Sequence, residues 1–118
     1  MEEETIMPER LERGALTEAV FYILLSVYTP LHGYAIMQKI TMLSKGRVTL
    51  GAGTLYGAIN TLVERGWIVD VTDAGNVRKR EYIITDVGKR AVCKEIERLK
   101  ELLENGENIA GGVSHESC

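Results

Sequence analysis

"GAGTLYGAINTLVERGWI", residues 51–68, decides how the rest of the chain is read. Leu55, Ile59, Leu62 and Val63 recur at the spacing of a helix lying on a core. The opposite face carries Gly53, Tyr56, Gly57 and Asn60, and no carboxylate appears before Glu64. A helix that faces only water usually carries Glu and Lys. A face this small, neutral and rich in hydrogen-bonding groups implies a partner, and the flanking segments say which kind.

Upstream, "EAVFYILLSVY" is apolar nearly all round. It predicts a deeply buried helix through about Val27, with Thr17 as its N-cap. "TPLHG" (29–33) is a breaker, with Pro30 and Gly33 ending one helix and opening the next. "YAIMQKITMLS" predicts a second helix with Ile36, Ile40 and Leu43 on one face, closed by Gly46. "RVTL" (47–50) is a β-branched run that predicts at most a small strand. Downstream of Gly66, a good residue to end a helix, the character changes. "WIVDVTD" and "VRKREYIIT" are β-rich and flank "AGN", which predicts a β-hairpin. Thr85 caps a last helix over about 86–105, on which Val92, Ile96, Leu99 and Leu103 fall at a/d spacing. The ending "NGENIAGGVSHESC" is Gly- and Ser-rich and reads as a disordered tail.

The 118 residues suit one domain, with too modest a core to make an oligomer interface superfluous. No apolar run reaches membrane-span length, and "MEEETIMPER" is acidic where a signal peptide is basic, so a cytoplasmic protein with no membrane partner is expected. Cys93 and Cys118 show no metal or redox spacing. The net charge of −3 conceals a segregation. Residues 33–80 hold seven bases against three acids, whereas residues 1–32 hold two against six and residues 81–118 five against eight. Local charge, not the net value, decides what a surface attracts.

The order of elements describes a mainly α fold with a small β-hairpin: a winged helix-turn-helix plus a C-terminal helix. The third helix is then the one that enters a DNA major groove. Gly53 and Gly57 let its backbone approach, and the missing acids avoid phosphate repulsion. Thr54, Tyr56, Asn60 and Thr61 offer hydrogen bonds; Asn pairs with adenine edges, while Tyr and Thr hydroxyls hold phosphates. In the wing, Arg78, Lys79 and Arg80 suit the DNA backbone or a minor groove. Lys39 lies in the same basic segment. The competing reading has Gly57 serve close helix packing and Tyr56 half-fill the core, with the basic hairpin a solvated edge.

"PLHGYAIMQKI", "GTLYGAINTLVERGWI" and "KREYIITDVGKRAV" resemble, in order and spacing, the PadR-type transcriptional regulators, over roughly residues 16–104. The resemblance implies a winged-helix DNA-binding domain, here 16–85, after an acidic lead-in, 1–15. It further implies a dimerisation helix, 86–105, ahead of the tail, 106–118. It implies a homodimer on a palindromic double-stranded DNA operator, acting mostly as a repressor and released by a small aromatic or drug-like effector. Tyr56 matches the family tyrosine that faces DNA, Thr54 opens the same helix, and Arg78, Lys79 and Arg80 match the basic wing. Val92, Ile96, Leu99 and Leu103, the a/d seam of that helix, are the residues expected at the dimer interface. The chain departs from the family in having Gly57 where Pro is usual and fewer wing arginines. It also has no aromatic residue in 86–105, where drug-binding members stack planar ligands.

Rival functions find less support. His32 reads as structural. His115 and Cys118 form an isolated H-x-x-C. Trp67 reads as packing under the wing, or lining an effector pocket. "GAGTLYG" lacks the ending of a phosphate-binding loop. No enzyme activity, cofactor or metal site is expected. The alternative to a DNA-binding regulator is a winged-helix module that binds protein.

Overall fold

The structure, a computed structural model, describes residues 15–72 and 79–111. Leu16–Val92 forms one compact unit, and the chain from Cys93 belongs to a second. Helix α1 spans Glu18–Ser26, strand β1 Leu31–His32, α2 Gly33–Leu43 and α3 Ala52–Glu64. Strands β2 (Ile68–Asp70) and β3 (Glu81–Ile84) follow, then α4, Asp86–Gly106. The winged helix-turn-helix order read from the sequence is present.

The helix ends have local causes. The Thr17 side chain accepts from the Val20 amide at 3.1 Å, capping α1. Thr85 does the same for the Gly88 amide at the start of α4, and its hydroxyl donates to the Gly66 carbonyl. Gly46 (φ 81°) and Gly66 (φ 78°) take the left-handed backbone that stops α2 and α3. Gly106 does not take it, so the expected disordered tail is corrected over 106–111: α4 includes Gly106, and a π-helical turn carries on through Gly111.

The sheet is not a two-stranded hairpin. β3 is central, with β2 on one side and β1 on the other, all antiparallel. The small strand expected at 47–50 is absent; the additional strand lies inside the "TPLHG" breaker, where Leu31 and His32 pair with Tyr82 and Glu81. Residues 47–50 are held otherwise. Ser44 Oγ accepts from the Val48 amide at 2.9 Å, and Arg47 pairs with Glu18 of α1. That carboxylate raises the Arg47 pKa. The tip of the expected hairpin, "AGN", lies outside the described residues.

Val20, Ile23, Leu24, Val27, Ile36, Ile40, Leu55, Ile59, Leu62, Ile68, Tyr82 and Ile84 form the core of the first unit. Two residues assigned to core faces from the sequence do not reach it. Leu43 is exposed because α2 ends there. Val63 is exposed because it lies about 100° round the helix from Leu62.

Candidate nucleic-acid interface

The two faces of α3 differ completely. Leu55, Ile59 and Leu62 have no exposed surface, while Gly53, Thr54, Gly57 and Asn60 are exposed. A Cβ built on Gly51, Gly53 or Gly57 would meet nothing within 4 Å. None of these glycines therefore serves close packing among the described residues, which counts against the close-packing reading of Gly57. Gly51, the N-cap of α3, makes no side-chain hydrogen bond to the first-turn amides. Thr61 is less available than its residue type suggests, since its hydroxyl donates to the Gly57 carbonyl at 3.2 Å.

Tyr56 is divided between both readings. The residue is 41% exposed, yet its hydroxyl end rests on Gly33. A Cβ on Gly33 would overlap the hydroxyl oxygen and approach Cε1 to 2.9 Å. The "LHGY" glycine is thus required by a neighbour's ring.

The base of the wing is an interlocked polar cluster. The Thr72 amide and hydroxyl both donate to Asp70 Oδ1, the amide at 2.8 Å, and the Glu81 amide donates to Thr72 Oγ1 at 3.0 Å. Arg80 Nη1 pairs with Asp70 Oδ2 at 2.7 Å. The Thr72 bonds first, then Arg80, hold the Asp70 carboxyl below its usual pKa. Burial, then the nearby Asp70 charge, raises the Tyr82 phenol. Of the expected phosphate-binding residues, Lys79 is exposed, Lys39 is half-buried on α2, Arg80 is engaged across the wing, and Arg78 lies outside the described residues. Arg47, counted in the basic segment, is neutralised by Glu18.

On α4, Val92 is buried at 2%, whereas Ile96, Leu99 and Leu103 are 38–61% exposed. Leu102 and Ile109, which the four-residue seam omits, are exposed as well. Glu95 does not flank this stripe as a solvated charge. It is buried at 2% and held by a two-pronged bond from Arg98, Nε to Oε1 at 2.9 Å and Nη2 to Oε2 at 2.5 Å. A carboxylate is tolerated out of water only when so paired.

Trp67 is half-buried, and its carbonyl accepts from the Thr85 amide at 2.9 Å. A Cβ on Gly88 would overlap that carbonyl, so the first turn of α4 sits tightly on the start of β2. A shallow open depression on α2 is lined by Met37, Gln38, Thr41 and Met42. His115 and Cys118 lie outside the described residues. No helix among the described residues is long and apolar enough to cross a membrane.

The profile of the transcriptional regulator PadR-like family matches residues 21–94, which include α2, α3, the wing strands and the start of α4. The chain belongs to the PadR-like family of transcriptional regulators. No curated protein matches it. A PadR family transcriptional regulator from Eggerthella lenta superposes with a TM-score of 0.60 at 26% identity, covering 96% of each chain. A transcriptional regulator from Clostridium thermocellum shares the fold, with a TM-score of 0.66 at 20% identity, covering 83% of this chain and 95% of that one. RosR from H. salinarum superposes with a TM-score of 0.58 at 25% identity, over 80% of this PadR-like chain and 79% of its own.

Proposed function

We propose that this PadR-like regulator is a repressor that binds a two-fold DNA operator as a homodimer. The observation that carries the reading is the outer face of α3: exposed, acid-free until Glu64, and lowered at Gly51, Gly53 and Gly57, where a Cβ would meet nothing within 4 Å among the described residues. Glycine in a helix interior costs roughly 1 kcal/mol relative to alanine. Gly53 and Gly57 carry that cost with no internal packing gain, as expected of a surface shaped for an external body. Thr54, Gly57 and Asn60 face the major groove, with Tyr56 at the edge of the same face. Lys79, Arg78 and Lys39 serve phosphate, and Arg80 chiefly braces the wing.

The dimer contact is the stripe Ile96, Leu99 and Leu103, widened by Leu102 and Ile109. Pairing two stripes removes apolar surface from water at about 25 cal/mol per Å². It also fixes the two α3 helices near one DNA turn, roughly 34 Å apart. A small-molecule effector would act by changing that spacing. The missing aromatic residue on α4 argues against planar stacking there as the mode of capture.

Selection from random duplex DNA tests the reading. A two-fold sequence bound by two chains, with affinity falling steeply as salt rises, is the expected result. A protein-binding winged helix would enrich no sequence.

A further inference from the structure

Tyr56 stands at the edge of the proposed reading face and yet has a built seat inside the chain. Gly33 is buried, and its backbone is not in the left-handed region. The three atoms nearest to a Cβ built there all belong to the end of the Tyr56 ring. Gly33 also follows directly on β1, whose Leu31 and His32 pair with Tyr82 and Glu81 of β3. β3 follows directly on Lys79 and Arg80 of the wing. Tyr56 therefore rests on the junction that ties α2 to the wing-bearing sheet, and this gives the unexpected strand β1 a purpose.

Resting on the DNA-binding reading above, we propose that Tyr56 is a positioning residue. Its phenol, seated on Gly33, sets how α3 stands relative to α2 and the wing, so that groove and phosphate contacts are made together. The seat lies close to the wing sheet: the buried Tyr82, which pairs with both Leu31 of β1 and Asp70 of β2, has its phenol pKa raised by burial and then Asp70, against a lowering by Arg80, with Tyr56 the smallest contributor. A ring whose hydroxyl end is seated on Gly33 is already held within the chain and has no need to touch a base.

The test is a double-mutant cycle on the full chain, read by operator affinity, salt dependence and thermal midpoint. Gly33→Ala should weaken operator binding by about tenfold or more, although Gly33 is buried away from any DNA. In a Tyr56→Ala background the same change should cost less than about twofold, since the obstructing ring is gone. Tyr56→Phe keeps the wedge, and should recover most of what Tyr56→Ala loses, with salt slope and base preference unaltered. Should Gly33→Ala not fold, rescue by added Tyr56→Ala reports the same seat. Additive losses, or a double variant that stays unfolded, overturn the proposal. So does a Tyr56→Phe protein as weak as Tyr56→Ala with a salt slope lower by about one, which marks a direct phosphate contact. Those outcomes leave DNA binding standing; a wild-type chain that binds no DNA ends both.

Discussion

Helices α3 and α4 are both amphipathic, and each has one face that the described residues leave exposed, but the faces are of opposite kind. On α3 the apolar stripe is wholly covered and the bare face is polar, neutral and flattened by glycine. On α4 beyond Val92 it is the apolar stripe that is bare, among Lys94, Glu97, Lys100 and Glu101. Water is a poor final neighbour for the second and an adequate one for the first. The apolar stripe of α4 therefore calls for another apolar surface, which a second copy would supply under the proposed reading, while the α3 face calls for a partner that rewards close approach and hydrogen bonds. Operator binding by a dimer satisfies both at once.

The comparison breaks most readily at α4. Ile96→Glu with Leu99→Glu should give a folded monomer by sedimentation and lower operator affinity by about a hundredfold, since one half-site loses its tethered neighbour. A dimer that survives the double change would place the contact elsewhere. On α3, Asn60→Ala should cost about 1–3 kcal/mol of operator binding and relax preference at one base position, with an unchanged thermal midpoint. Gly57→Ala sharpens the contrast, because stability and binding should move in opposite directions. The chain should gain up to about 1 kcal/mol of stability and lose DNA affinity; a stabilised chain with full affinity would mean that the flattened face touches nothing.

Smaller effects belong to the wing. Lys79→Ala should weaken all sequences alike and lower the salt slope by about one, whereas Arg80→Ala should loosen the β2–β3 base more than it alters that slope. Asp70 adds a pH signature. Its pKa is lower folded than unfolded, so its stabilisation is complete above the ordinary carboxylate range, about 3.9, and is lost as pH falls through the folded value. Asp70→Asn should flatten the acid side of the stability profile between roughly pH 5 and 2, read by thermal midpoints; an unchanged profile would put the acid sensitivity in other carboxylates.

Much of this was legible in the sequence because periodicity and caps are local. Thr17, Thr85, Gly46 and Gly66 mark helix ends where they were expected. Leu55, Ile59 and Leu62 declare their face by spacing alone. What escaped depends on pairing between distant residues. β1 exists because the free edge of β3 passes beside Leu31, which no property of "TPLHG" announces. Arg80 and Arg47 looked like free cations until Asp70 and Glu18 came within reach. Glu95 is buried and paired with Arg98, which its place in the helical pattern does not announce. Tyr56 declared its exposure by position, but its seat needed Gly33, twenty-three residues earlier, to be brought beneath it.

The most direct test of the central claim is a titration of the full chain against its selected two-fold duplex at several salt concentrations, with stoichiometry from sedimentation. The account predicts two chains per duplex, log affinity falling linearly with log salt, and a clear preference over scrambled DNA. One chain per duplex, or equal affinity for scrambled DNA at every salt concentration, would contradict it.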